Sequence, residues 1–232
     1  MSNSPETLRA HLITLQQRIA TACLASNRSE KEVKLMAVTK RFPLEVAKMA
    51  VNEGLHLLGE NRVQEAVEKI QKADFKARWE LIGHLQSNKA QLAAQHFDAI
   101  QSVDSVKLAS RLDRFANEAG KTLSILIQVN TGEDPGKSGF TVDTTQSSLD
   151  RILELKSIQV DGFMTIAPLP SAMDTAKSAF NELRTLRDQL SKSFGLPFPE
   201  LSMGMSFDLE AAIEAGSTCV RVGSALFGKR PV

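Results

Sequence analysis

The chain has 232 residues, 42% hydrophobic and 24% charged, a globular composition long enough for one large domain or two small ones. Its formal net charge of +1 gives no global electrostatic reason to expect nucleic acid or an anionic membrane as a partner. Cys23 and Cys219 rule out a disulfide framework and lack metal-ligand spacing, no apolar run reaches membrane-spanning length, and residues 1–9 carry no secretory pattern, so a reduced, cytoplasmic, metal-free protein is expected.

Leu8, Leu12, Leu15, Ile19 and Leu24 recur at helical spacing and predict an amphipathic opening helix. Short apolar strands then alternate with longer helical patterns. Strands are expected at residues 33–39, 55–59, 79–82, 99–102, 123–130, 159–166, 200–203 and 218–222. Helices are expected at 44–52, 63–72, 88–95, 105–119, 145–156, 174–193 and 208–215, the last stopping at Gly216. This alternation predicts a parallel α/β fold, and eight units in about 200 residues fit a single (β/α)8 TIM-type barrel. A doubly wound open sheet is the second choice, disfavoured because the first strand-to-helix turn lacks a glycine-rich dinucleotide fingerprint. The connections at 131–140 and 167–173 follow strands and so belong to the functional face of such a barrel.

The run Leu35-Met36-Ala37-Val38-Thr39-Lys40 is an apolar strand that ends on a lysine, and Arg41-Phe42-Pro43 stops it. A lysine there either snorkels to the rim of the core or loses proton affinity by burial and becomes a nucleophilic amine. The strand alone weighs these two readings evenly. At the last two strand ends, Ser202, Gly204 and Ser206, then Gly223 and Ser224, offer hydroxyls and unhindered backbone beside helix starts. Each loop alone reads as a turn with a cap, but together, in the position where this fold holds phosphate, they predict an anion cradle. Arg221 sits between Val220 and Val222 late in the last strand, so its guanidinium needs a carboxylate or a ring-nitrogen acceptor in the barrel mouth. Met164, Met203 and Met205 read as packing residues, Cys219 as core, and Lys69 to Lys72 as a solvated helix face. His84 lies at a strand end without a sequence-placed partner for a triad, and His11, His56 and His96 are set aside.

A strand-one lysine, a cradle on strands seven and eight and an arginine on strand eight together resemble the fold-type III pyridoxal phosphate (PLP) barrels. The strings Ala37-Val38-Thr39-Lys40, Gly59-Glu60-Asn61-Arg62-Val63-Gln64-Glu65 and Ile82-Gly83-His84-Leu85-Gln86-Ser87-Asn88-Lys89 resemble the pyridoxal phosphate homeostasis protein family. So do Ser202-Met203-Gly204-Met205-Ser206-Phe207-Asp208 and Val220-Arg221-Val222-Gly223-Ser224-Ala225-Leu226-Phe227-Gly228, and the resemblance runs over about residues 33–230. It implies one PLP-binding domain over 1–232, with an N-terminal helix within 1–30 and a barrel at 33–230 like the N-terminal domain of alanine racemase, without that enzyme's C-terminal β-domain. It implies PLP as the cofactor, held as an aldimine on Lys40, with its phosphate around Ser202, Gly204, Gly223 and Ser224 and its pyridine nitrogen facing Arg221. Asn61 and Met164 would line the pocket. Many members carry tyrosine after the Gly-Glu-Asn string; this chain has Arg62, as cyanobacterial-type members do.

An arginine at the pyridine nitrogen makes the ring a poorer electron sink than a carboxylate would. Alanine racemases compensate with a second base, a tyrosine, and this chain contains no tyrosine. The leading expectation is therefore a non-catalytic PLP carrier acting in PLP homeostasis and, indirectly, in amino-acid and keto-acid balance. The alternatives are a low-activity, racemase-like PLP enzyme on a small amino acid with Lys40 as base, and a cofactor-free Schiff-base aldolase. Beyond PLP, the partners in view are PLP-dependent apoenzymes or a regulatory protein, with no nucleic acid and no membrane, for a monomer.

Overall fold

Helix α1 (Pro5–Ala25) starts where Ser4 caps it, its hydroxyl accepting from the Thr7 amide, with Pro5 pre-set for the first turn. Its apolar stripe is Leu8, Leu12, Leu15, Ile19, Ala22 and Cys23; Leu24, expected in that stripe, is 80% exposed. A period of 3.6 residues from Ile19 falls on Ala22 and Cys23, which leaves Leu24 on the far side. The computed structural model describes residues 4–132, 136, 138–168 and 173–228, so parts of both connections expected on the functional face, and the end of the chain, lie outside the described residues.

Eight parallel strands follow, β1 (Lys34–Val38), β2 (Leu57–Glu60), β3 (Arg78–Leu81), β4 (Ala99–Val103), β5 (Leu123–Gln128), β6 (Ile158–Met164), β7 (Glu200–Ser202) and β8 (Cys219–Val222). Each pairs with the next in chain order, and β8 pairs back onto β1 with Met36 beside Arg221, so the sheet closes and the open-sheet alternative falls away. Helices α2 (Leu44–Asn52), α3 (Val63–Lys72), α4 (Ala90–His96), α5 (Val106–Glu118), α6 (Val142–Leu153), α7 (Met173–Phe194) and α8 (Leu209–Glu214) alternate with the strands, and α9 (Ser224–Phe227) follows β8. Among the described residues no helix is long and apolar enough to cross a membrane.

Boundaries moved where local hydrogen bonds outbid the apolar pattern. The Leu55 amide bonds back to the Ala50 carbonyl, tying Leu55 to the end of α2, so β2 starts two residues later than its pattern. The Thr141 hydroxyl accepts from the Thr144 amide at 3.2 Å, which starts α6 earlier than its apolar pattern.

The core lies between barrel and helices, where Ala37, Leu58, Leu81, Ile100, Ile125, Phe163, Leu201 and Val222 point outward into one cluster with Leu12, Leu15, Ala47, Leu112 and Leu183. Inside, Met36, Val38 and Cys219 form a small apolar plug, with Leu57 and Ile82 against it. Burial pushes the Cys219 thiol up to about 12, which keeps it protonated and inert. Below the plug the interior is polar and opens into a cavity of about 540 Å³ lined by Lys34, Arg78, Glu80, Gln101, Asp161 and Glu200. Every one of these side chains is partnered. Lys34 pairs with Glu200, Arg78 with Glu80, Glu80 with Gln101, and Ser124 donates to Asp161.

Candidate functional site

Above the plug, at the C-terminal ends of the strands, is a second cavity of about 250 Å³. The period of two along β1 sends Val38 and then Lys40 into it, while Thr39 turns outward. Asn61 enters from the end of β2, Ile82 from β3, Arg221 from β8, and Met205, Ser206, Gly223 and Ser224 from the last two loops. Among the described residues its lining contains two cations, Lys40 and Arg221, and no carboxylate.

The backbone around Lys40 is held from behind. Lys69, on α3, spends its three ammonium donors on the Thr39 carbonyl at 3.0 Å, Glu60 Oε1 at 2.8 Å and Glu65 Oε1 at 3.0 Å. Thr39 Oγ1 donates to the same Glu60 oxygen at 2.7 Å, and the Arg41 amide donates to Glu65 at 2.6 Å. Both peptide neighbours of Lys40 are thereby fixed, and Arg41 is held at φ +63°, a left-handed conformation uncommon for a non-glycine residue. Burial raises the Glu60 carboxyl above its ordinary range against the pull of Lys69, and Glu60 Oε2 has no hydrogen-bond partner. Lys69 is only 7% exposed, so the expected solvated helix face is wrong at this position. The signal was present in Glu65 and Lys69, four apart on one helix, below a glutamate at the end of an apolar strand.

Arg221 is 4% exposed. Its Nη1 donates to Ser202 Oγ at 2.7 Å and its Nη2 to the Thr165 carbonyl at 2.8 Å. Burial pulls its pKa down, but a guanidinium keeps its proton. Opposite the carbonyl side, Ser206 and Ser224 bring their hydroxyls within 3.5 Å of each other, and the Ala225 amide donates to Ser206 Oγ at 3.4 Å. Arg18 of α1 holds the outer side of this loop through the Ser206 carbonyl at 3.0 Å and both oxygens of Glu210.

Of the residues singled out in the sequence, Lys40, Asn61, Arg221, Gly223 and Ser224 converge on this cavity. Met164, Ser202 and Gly204 do not line it. Met164 is fully buried within the β5–β6–β7 register, beside Gln128 and Ser202, where packing is its work. Ser202 is fully buried and its hydroxyl is committed to Arg221 and to Gln101 Oε1 at 2.6 Å, so it supports the arginine instead of offering itself to an anion. Gly204 has φ +93° and a Cβ there would lie 2.5 Å from Ala212 Cβ, so the fold itself requires this glycine. Gly223 differs. A Cβ would meet protein only at ordinary contact distance, 3.4 Å from the Val38 carbonyl, and would project into the cavity wall. A glycine that the fold does not need, facing two hydroxyls and two cations, leaves room for a ligand to approach backbone. These residues fit a phosphorylated aldehyde with an aromatic ring. His84 sits apart, its Nδ1 3.0 Å from Asp104, and Arg62 is exposed beside Lys40 at the rim.

A closed parallel barrel with a lysine past β1 and an arginine on β8 places the chain in the class of alanine racemase N-terminal-like barrels, and the family model "Alanine racemase, N-terminal domain" matches residues 13–231. An alanine racemase of Clostridium difficile 630 superposes with TM-score 0.78 over 98% of this chain and 58% of that one, at 18% identity, a likeness of fold. The pyridoxal phosphate homeostasis protein of Pasteurella multocida (strain Pm70) is 38% identical over 228 residues, 97% of this chain and 98% of that protein. PipY of Synechococcus elongatus PCC7942, solved with PLP bound, is 38% identical, with TM-score 0.82 over 92% of this chain and 99% of that one. The chain belongs to the pyridoxal phosphate homeostasis protein family.

Proposed function

We propose that this chain binds PLP in the mouth of the barrel and serves PLP homeostasis, and through it amino-acid and keto-acid balance, as a binding protein and not an efficient enzyme. The observation that carries the reading is the convergence of Lys40 and Arg221 on one cavity closed by Ser206, Gly223 and Ser224. In this reading Lys40 is the amine for the cofactor's aldehyde carbon. Ser206, Ser224 and the backbone at Gly223 hold the phosphate, and Arg221 donates to the pyridine nitrogen. Ser202 and Gly204 act one layer behind, on Arg221 and on the loop. When bound, PLP supplies an aldehyde reactive toward amines and a ring that withdraws electrons. Arg221 limits the second property, because a fixed cationic donor keeps the ring nitrogen unprotonated. Among the described residues no histidine, aspartate or glutamate lines the cavity, and the sequence has no tyrosine, which leaves Lys40 as the base among the described lining residues. The names of the relatives, which describe homeostasis and no reaction, support the same side. The partners this role implies are apoenzymes that need PLP, or a regulatory protein.

The test is the near-ultraviolet and visible spectrum of the purified protein mixed with PLP, followed by borohydride reduction and peptide mass analysis. A pyridoxyl group on Lys40, lost in Lys40→Ala with the fold retained, is the expected result; a label only on other lysines overturns it. Deuterium incorporation at Cα across a panel of amino acids should be slow beside enzymatic turnover of roughly 1–10³ per second. Turnover in that range would instead establish the racemase-like enzyme.

A further inference from the structure

We propose that Gln101 is a positioning residue for Arg221, setting the guanidinium through Ser202 and taking its own orientation from Glu80 near the floor of the barrel. The four side chains come from β3, β4, β7 and β8 and form one hydrogen-bonded line along the barrel axis. Arg221 Nη1 donates to Ser202 Oγ at 2.7 Å, and Ser202 Oγ to Gln101 Oε1 at 2.6 Å. Gln101 Nε2 donates to Glu80 Oε2 at 2.6 Å, and Arg78 Nε takes the other oxygen of Glu80 at 2.5 Å. All four members of the line proper are nearly buried, at 4%, 0%, 2% and 7% exposure from Arg221 to Glu80.

The direction of the line is fixed chemically. An ionised carboxylate only accepts, so the amide nitrogen of Gln101 must face Glu80 and its oxygen must face Ser202. The single hydroxyl proton of Ser202 is then spent on Gln101, and its lone pairs are left for Arg221. A flipped Gln101 would set a carbonyl oxygen against the Glu80 carboxylate, two acceptors facing each other between side chains only 2% and 7% exposed, an unmatched pair that is costly when nearly buried. Arg221 has no carboxylate of its own among these partners. Two neutral groups carry the polarising effect of Glu80 to it, which holds the guanidinium plane without neutralising the cation that the mouth presents. The consequence for the cofactor rests on the PLP reading above; the consequence for Arg221 does not.

The experiment therefore begins without cofactor. In uniformly ¹⁵N-labelled protein at low temperature, a guanidinium held at both Nη atoms rotates slowly and gives separate Nη1 and Nη2 resonances. Arg221→Lys identifies which pair is Arg221. Gln101→Met keeps the volume and removes both polar ends of the residue. The expected result is a separate pair in the parent and an averaged one in Gln101→Met, with melting temperature little changed. An averaged pair in the parent, or a separate pair retained in Gln101→Met, overturns the proposal. Should Gln101→Met not fold, Gln101→Ala, which cannot overpack, carries the same two outcomes. With PLP added, Gln101→Met should bind roughly tenfold more weakly, the size of one misplaced hydrogen bond to a charged donor, with a shifted visible band. A purely structural Gln101 would lower the melting temperature and leave the Arg221 resonances and the band as in the parent. If Arg221 responds as expected but no variant or parent reacts with PLP, the positioning role stands and the cofactor reading fails.

Discussion

The two ends of the barrel carry ion pairs of the same chemistry and opposite meaning. At the floor, Lys34 and Glu200 pair with side chains 57% and 23% exposed, beside a water-accessible cavity. Behind the mouth, Lys69 and Glu60 pair with side chains 8% and 0% exposed, packed against the turn that bears Lys40. An exposed pair gains little, because water screens its attraction and competes for its hydrogen bonds. A buried pair is little better than neutral as a whole, but removing one member leaves an uncompensated charge in a dry site. The Lys69–Glu60 pair is therefore one whose charges fix local geometry, and the Lys34–Glu200 pair one that water largely screens.

The sharpest way to break this contrast is to remove the lysine at each end. Lys69→Met should cost about 3–5 kcal/mol in urea unfolding at neutral pH, as for other broken buried pairs, and should weaken PLP binding by releasing the Thr39 carbonyl. Its pH dependence has a defined sign. The folded pKa of Glu60 is raised above its ordinary 4.5, so its favourable contribution is full below that value and is lost as pH rises through the raised folded value. Without Lys69 the folded value rises further, so the deficit of Lys69→Met should shrink as pH falls toward 4.5. A deficit that grew on acidification would contradict the buried-pair account.

The two glycines of the mouth divide the same way. Gly204→Val combines a left-handed backbone with a clash against Ala212 and should cost roughly 2–4 kcal/mol of stability by denaturant titration. Gly223→Ala should leave the unfolding midpoint close to the parent's and weaken PLP binding strongly, because its Cβ meets Val38 only at ordinary contact distance while adding bulk to the wall of the cavity. Equal stability losses in both variants would mean that Gly223 is structural.

Smaller effects should come from single hydroxyls. Ser206→Ala and Ser224→Ala should each weaken PLP binding by about 1 kcal/mol in a fluorescence titration, the size of one neutral hydrogen bond. Smallest of all, Lys34→Met should change stability by no more than about 1 kcal/mol and leave PLP affinity as in the parent. A large loss of PLP binding in Lys34→Met would erase the distinction between the two ends.

The sequence by itself determined the barrel and one wall of the site. Strand and helix periods come from local geometry, and the inward alternation from Val38 to Lys40 needs only the two-residue repeat of a strand. The positions of Lys40, Asn61, Arg221, Gly223 and Ser224 at strand ends followed from that alternation, read with the family motifs. What it could not decide was which of several candidates in one loop faces the cavity. Ser202, Gly204 and Ser206 are equally plausible in sequence, yet Ser202 ends inside the barrel, Gly204 lies against α8, and Ser206 reaches the mouth. Nor could it pair Lys69 with Glu60, or line up Arg221, Ser202, Gln101 and Glu80, whose residues lie up to 101 positions apart in consecutive links. Those partnerships exist only once the eight strands close. Closure sets which polar side chains lose water together, and side chains that lose water must find one another.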